Sequence, residues 1–177
     1  MISEHNSIQH YERGPRWVRW LMRAIYPLAT RCVAVSKGVG EDLVNHWGLD
    51  PAKVAVIHNP IDLSRIRRLA SESVPDDPRL YRPVIVSAGR FTSQKGFPYL
   101  LQAFATVRRT IPSTLVLVGD GPDWKMLQQL AADLGVSDDI LWPGIDANPY
   151  RWMSRGSLFV LSSIYEGFGI VVAEALA

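Results

Sequence analysis

The sequence predicts an α/β fold in which a doubly wound parallel sheet follows the remnant of a second α/β domain. Three observations support this prediction. Short apolar runs, rich in Val, Ile and Leu and without strict polar alternation, are typical of strands buried on both faces of a parallel sheet. Amphipathic helical patterns separate these runs, so strand and helix alternate. A basic, tryptophan-bearing segment near the amino terminus differs in composition from the residues that follow it.

Residues 1–62 are interpreted as the remnant of an amino-terminal domain with its connection. Their first element is a predicted helix over residues 15–28, with apolar side chains on one face and arginines on the other. The apolar face consists of Trp17, Trp20, Leu21, Ala24, Ile25 and Leu28, and the basic face of Arg16, Arg19 and Arg23. After this helix, "CVAVS" predicts a strand, "EDLVNHWG" a helix ending at Gly48, and "VAVIHN" a second strand.

Residues 63–82 are interpreted as a linker helix and loop between the two domains. The preceding "HNPID" predicts an extended connection because Asn59 precedes Pro60, and Asp62 is placed to cap the helix "LSRIRRL". The segment "SVPDDPRLYRP" then supplies the polar and proline residues typical of a domain boundary. The second domain is therefore expected to begin near Arg82.

Residues 83–177 are predicted to form the doubly wound sheet. The runs "PVIVSAG", "TLVLVG", "DILWPG" and "SLFVLSS" are its strands, and most of them end in small or turn-forming residues. Two helices between them are identified by their apolar faces: Leu101, Phe104 and Ala105 before Pro112, and Leu127, Leu130, Ala131 and Leu134 before Gly135.

The composition limits the function classes. With 177 residues, 47% of them hydrophobic, the chain is expected to be globular and long enough for one domain or pieces of two. A formal net charge of +2 gives no basis for a nucleic-acid partner. The one cysteine, Cys32, lies among apolar neighbours, so we expect a core residue in a reducing compartment. The sequence has no apolar run of about 20 residues and no signal-peptide pattern, so a cytoplasmic protein is expected.

Two loops follow predicted strands at the edge where such sheets bind ligands. In "SAGRFTSQKG" a strand ends at Gly89, and Arg90 and Lys95 supply two fixed positive charges that suit a diphosphate. The alternative is that both are solvated surface cations. In "VGDGPDW", Gly119 precedes a helix whose N-terminus can face an anion, and a plain strand-to-helix turn is the simpler explanation of its glycines.

A third loop begins the terminal stretch "SSIYEGFGIVVAEALA". Gly167 and Gly169 allow backbone N–H groups to point at a ligand where the helix begins, and the helix dipole adds partial positive charge there. An anion held at that point would bring an attached ribose diol beside the carboxylate of Glu174, and Glu166 would face whatever is attached beyond the phosphates. The alternative makes Glu166 an exposed turn residue and Glu174 a solvated helix position.

Several common nucleotide and metal sites lack their motifs here. Neither "GDGPDW" nor "GFGIVV" has the final glycine of the dinucleotide fingerprint, and no P-loop motif occurs. No Asp-x-Asp pair is present, and His5, His10, His46 and His58 have no metal-ligand spacing. We therefore expect no metal cofactor, so that cationic side chains and helix amides neutralise the diphosphate.

Four stretches carry a family resemblance: "CVAVSKGVGEDLVNHWGLDPAKVAVIHNPID", "VIVSAGRFTSQKGFPYLLQAF", "LVLVGDGP" and "LWPGIDANPYRWMSRGSLFVLSSIYEGFGIVVAEALA". Together they cover nearly the whole chain and resemble the retaining glycosyltransferases of family 4, also called glycosyltransferase group 1, which have the two-domain GT-B fold. The sequence departs from the family's pattern at Pro60, where a glycine is usual. The resemblance makes residues 83–177 the nucleotide-sugar donor-binding domain, incomplete at its C-terminus.

The resemblance implies transfer of a sugar from a nucleotide-diphosphate sugar with its anomeric configuration retained and without a metal. Arg90 and Lys95 match the pair that binds the donor diphosphate. Glu166 and Glu174 match the family's motif of two glutamates separated by seven residues. By this resemblance Glu174 binds the donor ribose and Glu166 faces the transferred sugar, either as a nucleophile or as a positioning group.

The same resemblance assigns the remaining contacts. The amides of Phe168 and Gly169 hold sugar hydroxyls or phosphate, and Gly144 and Ile145 in "WPGID" contact the nucleobase through their backbone. His5 resembles a histidine that reaches the donor sugar from the acceptor side. The implied donor is a UDP-sugar, and the implied acceptor is a glycan or polyprenyl-linked saccharide in surface polysaccharide or oligosaccharide assembly.

The resemblance further implies an internal fragment of a longer protein, with strands before Met1 and helices after Ala177, and the fragment alone is expected to be inactive. Two other classes stay open. One is a GT-B enzyme that epimerises or hydrolyses a nucleotide sugar, and the other is a non-catalytic nucleotide-sugar binding module. The basic helix of residues 15–28 suits an anionic membrane surface on the inner face of the cell membrane, or a helix packed on its own domain with solvated arginines.

Overall fold

A computed structural model describes residues 1–5 and 15–177 of the chain. Within these residues the structure divides into two compact units. The first unit comprises Met1–Pro60 and Tyr165–Ile170, and the second comprises Ile61–Ile164 and Val171–Ala177. Residues 63–82, interpreted above as a linker, group with the second unit, and residues 165–170 group with the first.

The first unit contains a three-stranded parallel sheet in the order β1-β2-β3. Its strands are β1 (Ile2–Glu4), β2 (Cys32–Ala34) and β3 (Val54–Val56), and its helices are α1 (Arg16–Ile25) and α2 (Lys37–Asn45). The sequence predicted β2, β3 and both helices. The predicted end of α2 at Gly48 was three residues too late, because His46 already caps the helix and Gly48 leaves helical geometry with φ +72°.

The core of the first unit forms between β2 and α2. Cys32 is fully buried there, as predicted, and Val39 and Leu43 of α2 pack in the same cluster. Burial raises the pKa of the Cys32 thiol. Glu4 at the end of β1 is also buried, and its carboxylate accepts a hydrogen bond from the Tyr26 hydroxyl, so the charge is not left without a partner.

The apolar face of α1 is turned outward in the described structure rather than packed on its own unit. Trp17 is 65% exposed, Trp20 is 74% exposed, and Leu28, in the turn that follows α1, is 81% exposed. The guanidinium Nε of Arg23 donates to the carbonyl of His46 over 3.1 Å, which joins α1 to the end of α2. Across residues 1–5 and 15–177, none of the helices has the length and apolarity to cross a bilayer.

The second unit is built on a four-stranded parallel sheet in the order β6-β5-β4-β7. Its strands are β4 (Val84–Ala88), β5 (Thr114–Val118), β6 (Ile140–Gly144) and β7 (Leu158–Phe159). Its helices are α3 (Leu63–Ala70), α4 (Phe97–Arg108), α5 (Trp124–Asp133), α6 (Tyr150–Met153) and α7 (Ile170–Ala175), of which only Ile170 groups with the first unit.

Alternate residues of β5 enter two different apolar layers, which explains the continuous apolar runs in the sequence. Leu115 and Leu117 pack with α4 and α5 on one face. Val116 and Val118 pack on the other face, where Trp152 of α6 is buried. Because both faces of the sheet are covered by helices, β5 is apolar from Leu115 to Val118, and Thr114 at its start is buried with its hydroxyl donating to the carbonyl of Arg79 over 2.7 Å. The predicted α/β fold with a doubly wound parallel sheet is confirmed.

Helix α3 begins as the sequence predicts. The side chain of Asp62 accepts a hydrogen bond from the Arg65 amide over 2.9 Å and caps the helix. The end of α3 is tied to the region of α6, because the Asn148 side chain donates to the carbonyl of Leu69 over 2.9 Å and the Ser154 hydroxyl donates to that of Ala70 over 2.8 Å. These bonds attach α3 to the sheet unit.

Candidate functional site

The strand order places a topological switch point between β4 and β7. The chain proceeds from β4 through β5 to β6 on one side of the sheet and then returns to β7 on the other side of β4. Open parallel sheets bind ligands outside the carboxyl ends of their strands at such a switch point. The loop after β4 carries Arg90 and Lys95, and the loop after β7 leads to the paired glutamates.

Hydrogen bonds join the loops that follow β4, β5 and β6. The Gly89 amide donates to the carbonyl of Val118 over 2.9 Å, and the Phe91 amide donates to that of Asp120 over 2.8 Å. The Gly119 amide donates to the carbonyl of Gly144 over 2.8 Å. Three of the predicted donor-binding residues, the glycines that end these strands, are therefore brought together at one edge of the sheet.

The Lys95 side chain runs alongside the end of β4. A Cβ added to Gly89 would lie 3.6 Å from Cε and 3.7 Å from Cδ of Lys95, so the methylenes of the lysine pass directly over the glycine. Arg90 follows Gly89 and is exposed to solvent. Arg90 and the side chain of Lys95, the two cations predicted for the diphosphate, therefore both lie at the carboxyl end of β4.

The loops on either side of the switch point are in direct contact. The Ser162 hydroxyl donates to the carbonyl of Lys95 over 2.8 Å, and the Ile164 amide donates to that of Gln94 over 2.8 Å. Gly96 adopts φ +62°, and a Cβ at this position would lie 2.2 Å from the carbonyl oxygen of Ser162. Sequence reasoning missed Ser162, because a serine that bonds a backbone carbonyl 67 residues away leaves no local signal.

The loop after β6 is organised by a partly buried carboxylate, that of Asp146, which sequence reasoning also missed. Gly144 has φ +76°, and Ile145 is 81% exposed at the tip of this loop. Asp146 accepts hydrogen bonds from the Asn148 amide at 2.8 Å and from Arg151 Nη2 and Trp152 Nε1, each at 2.7 Å. Burial alone would raise the pKa of Asp146, but these hydrogen bonds outweigh it and hold the pKa below its usual value.

Glu174 lies on α7 and contacts a tyrosine from the start of α6. The Tyr150 hydroxyl donates to Oε1 of Glu174 over 2.9 Å. Burial, together with the hydrogen bond to Glu174, raises the pKa of the Tyr150 phenol. Glu174 is partly buried, and its carboxylate is engaged by a side chain of the same unit.

The residues around Glu166 belong to the other unit. Phe168 packs against the core cluster of the first unit, and its ring stacks on that of His58 with centroids 5.4 Å apart. His58 Nδ1 lies 3.0 Å from the carbonyl oxygen of Val35. Gly167 and Glu166 are partly buried, and Gly169 has φ +65° immediately before α7.

His5 is placed just beyond the carboxyl end of β1 and is exposed. Its Nε2 lies 3.0 Å from the Ser3 hydroxyl, and its amide donates to the Glu4 carboxylate over 2.9 Å. The roles assigned above to His5 and to the other site residues stay predictions. His10 lies outside the described residues.

Two family models match the chain. Residues 74–177 match the model described as glycosyl transferases group 1. The chain belongs to this family. Residues 1–65 match a second model, described as glycosyltransferase family 4. The family predicted from the resemblance is therefore confirmed.

Relatives of this group 1 chain include transferases whose names specify their substrates. It is 33% identical over 159 residues to the N-acetylgalactosamine-N,N'-diacetylbacillosaminyl-diphospho-undecaprenol 4-alpha-N-acetylgalactosaminyltransferase of Campylobacter jejuni, a match of 90% of this chain and 42% of that protein. It is also 33% identical over 165 residues to the D-inositol 3-phosphate glycosyltransferase of Streptomyces bingchenggensis, covering 84% of this chain and 36% of that protein. The chain thus spans less than half the length of these relatives.

Solved glycosyltransferase structures share the fold. The group 1 chain aligns with HepE of Anabaena in complex with UDP at a TM-score of 0.78 and 22% identity, covering 99% of this chain and 50% of that one. It aligns with a glycosyltransferase from Rickettsia africae at a TM-score of 0.71 and 21% identity, covering 91% and 45% of the two chains. The predicted GT-B fold is confirmed.

Proposed function

We propose that the protein transfers a sugar from a nucleotide-diphosphate sugar to a glycan or lipid-linked saccharide acceptor, with retention at the anomeric carbon. The observation that carries this proposal is the clustering of Gly89, Gly119 and Gly144 at the sheet edge, with Lys95 lying over Gly89. Close backbone approach and fixed positive charge are the two properties that binding of a diphosphate requires.

Each part of the donor has a candidate partner. Arg90 and Lys95 take the diphosphate, and Glu174 takes the ribose. The backbone of Gly144 and Ile145 contacts the nucleobase. These five residues all lie in the second unit, so the proposed nucleotide half of the donor is bound by one compact body.

The transferred sugar has its candidate partners in the first unit. Glu166 faces the sugar, the amides of Phe168 and Gly169 hold its hydroxyls or the phosphate, and His5 reaches it from the acceptor side. These assignments rest on the motif and not on a contact. Within this proposal the reaction needs no metal, because the cations and backbone amides neutralise the leaving group.

The chemical role of the cations follows from electrostatics. Departure of the nucleoside diphosphate develops negative charge on its terminal phosphate, and Arg90 and Lys95 stabilise that charge. Groups that are positioned before the reaction in this way commonly contribute about 3–4 kcal/mol each to lowering a barrier. The acceptor hydroxyl replaces the diphosphate at the anomeric carbon and loses its proton, so the products are a glycoside and a nucleoside diphosphate.

The donor and acceptor classes are supported by the relatives. The HepE structure contains UDP, which supports a UDP-sugar as donor. The name of the Campylobacter transferase specifies an undecaprenol-linked saccharide, which supports a polyprenyl-linked acceptor. Detection of labelled sugar on a polyprenyl-linked acceptor, rather than as free sugar, would separate transfer from hydrolysis of the donor.

The diphosphate assignment predicts the effect of one substitution. In the full-length protein, Lys95→Ala should weaken UDP binding by about 1.5–3 kcal/mol, because it removes a charge-assisted hydrogen bond. Isothermal titration calorimetry measures the change. The matched control is Lys125→Ala, which removes an exposed lysine from α5 and should leave UDP affinity unaltered. Undiminished affinity in Lys95→Ala would remove the loop after β4 from the donor site.

We also propose that α1 contacts an anionic leaflet. Its exposed Trp17 and Trp20 present apolar area to the surroundings, and Arg16, Arg19 and Arg23 supply charge complementary to anionic headgroups. Tryptophan is favoured at the level of lipid headgroups because its ring is apolar and its indole N–H is polar. An outward-facing helix of this composition is therefore suited to bring the protein to a lipid-linked acceptor.

This surface is tested by vesicle sedimentation. Each arginine near an anionic membrane contributes about 1 kcal/mol, so Arg16→Glu combined with Arg19→Glu should reduce partitioning onto anionic vesicles roughly 30-fold or more. Arg109→Glu with Lys125→Glu makes the same change in net charge at exposed positions of the second unit, and should reduce partitioning far less. Equal sedimentation of the wild type with neutral and anionic vesicles would contradict the proposal.

A further inference from the structure

Glu174, the proposed ribose ligand, is held by a hydrogen bond from Tyr150 rather than by its own helix. Helix α7 has only six residues, Ile170–Ala175, and a helix that short is marginal without tertiary contacts. The hydroxyl of Tyr150 donates to Oε1 of Glu174 over 2.9 Å. Among residues 1–5 and 15–177, no group donates a hydrogen bond to Oε2 of Glu174.

Tyr150 is itself fixed in position. It is the first residue of α6, and the loop before it is gathered around the carboxylate of Asp146. Two residues further on, Trp152 is 6% exposed in the core cluster beneath the sheet and donates to the same carboxylate. The tyrosine hydroxyl therefore extends from an anchored backbone, and a hydrogen bond from such a group orients its acceptor.

A ribose diol places particular demands on a carboxylate. Two adjacent hydroxyls donate to it, and the geometry is favourable only if the carboxylate plane is set before the ligand arrives. A glutamate side chain has three rotatable bonds, so an unrestrained Glu174 would have to be ordered on binding. A donor that occupies one oxygen from the protein side restricts that rotation and leaves the other oxygen for the ligand.

We propose that Tyr150 is a positioning residue for donor ribose recognition: its hydroxyl holds Oε1 of Glu174 so that the carboxylate is set to accept the ribose hydroxyls. The proposal rests on the proposed function, since it takes Glu174 as the ribose ligand. It assigns to Tyr150 no contact with the reacting atoms. Its effect is expected in affinity for the ribose and not in affinity for the diphosphate.

The experiment compares two probes, UDP and 2′,3′-dideoxy-UDP, which lacks both ribose hydroxyls. Calorimetry on the full-length protein should find that Tyr150→Phe weakens UDP about tenfold, the effect of one hydrogen bond to a charged group, and weakens the dideoxy nucleotide less than about twofold. The ratio of the UDP affinity to the dideoxy-UDP affinity therefore falls. If Tyr150 only supported the fold, Tyr150→Phe would lower the affinity for both nucleotides by the same factor.

The chain offers a matched control for the loss of a tyrosine hydroxyl. The Tyr81 hydroxyl donates to Asp76 Oδ1, also over 2.9 Å, at an exposed position of the second unit. Tyr81→Phe removes the same chemical bond without touching Glu174, and should leave the affinity ratio unchanged. In a Glu174→Ala background, Tyr150→Phe should cause no further loss of UDP affinity, because the tyrosine acts through that carboxylate.

The outcomes distinguish the positioning role of Tyr150 from the proposed UDP-sugar donor site. An unchanged ratio in Tyr150→Phe, or a loss that adds to that of Glu174→Ala, overturns the role of Tyr150 while the UDP site stands. If wild-type protein does not bind UDP at all, the proposed donor is wrong and the role of Tyr150 falls with it. If UDP binds and Lys95→Ala weakens that binding, the proposed donor site is supported. A lower ratio of UDP affinity to dideoxy-UDP affinity in Tyr150→Phe then also supports the positioning role of Tyr150.

Discussion

Replacing Gly119 with alanine is expected to destabilise the second unit by about 3 kcal/mol or more, with a fall in Tm of roughly 10 °C. Gly119 has φ +138°, and an added Cβ would lie 2.0 Å from the carbonyl oxygen of Gly89 and 3.0 Å from its carbonyl carbon. Both atoms are backbone at the end of β4, so they cannot move aside as a flexible side chain would. The substitution therefore separates the ends of β4 and β5 or distorts both loops.

Gly135→Ala is the matched control for this prediction. Gly135 follows α5 with φ +69°, and nothing lies within 4 Å of an added Cβ. Its substitution carries the cost of the left-handed backbone, about 1–2 kcal/mol, without any collision. Thermal melting of the two variants separates backbone strain from overlap. If both variants melt at the same temperature, the close approach between the loops after β4 and β5 does not control stability.

Asp146→Ala is expected to lower the free energy of unfolding by about 2 kcal/mol, because it removes the acceptor of hydrogen bonds from Arg151 and from the buried Trp152. The side chain of Asp146 is 11% exposed and that of Arg151 is 29% exposed. Without the carboxylate, Arg151 keeps an uncompensated charge, and the Trp152 Nε1–H loses its acceptor inside the core cluster. Denaturant unfolding at neutral pH measures the loss.

The same carboxylate predicts a dependence on pH. The pKa of Asp146 is lowered in the folded protein, so its contribution to stability is complete above the ordinary aspartate pKa of about 3.9 and is lost as pH falls through the folded value. The difference between wild type and Asp146→Ala should therefore be constant near neutrality and narrow in acid. Asp133→Ala is the control, because Asp133 is exposed and its carboxylate accepts a hydrogen bond from the neighbouring Gln129 side chain. A difference that widens in acid would contradict this account.

Local patterns in the sequence were sufficient for most of the fold. Each run of apolar residues that ends in a glycine or serine became a strand, because a strand buried on both faces is largely apolar and the chain turns at its end. The helix cap at Asp62 and the helix end at Gly135 could also be predicted, because both depend on a residue's own local backbone preference. Strand β1 was not predicted, since its three residues carry no periodicity and depend on pairing with β2.

The candidate site was predictable in its charges and glycines but not in the contacts that hold it. Lys95 and Gly89 could be assigned to one loop from sequence, whereas the bond from Ser162 to the carbonyl of Lys95 joins residues distant in the chain. Likewise, neither Tyr150 nor Glu174 indicates the other, because their contact depends on how α6 and α7 pack. Such partners follow from tertiary packing, which no local pattern encodes.

The hydrogen bonds from Gly89, Phe91 and Gly119 extend strand pairing beyond the last residues of the sheet. We therefore expect the loops that carry Gly89, Gly119 and Gly144 to belong to the same cooperative folding unit as the strands and to open together with the sheet. A nucleotide that binds them meets a surface already ordered, so ligand binding and global stability are linked: a donor that binds the native state alone should raise the melting temperature of the whole second unit and not of one loop.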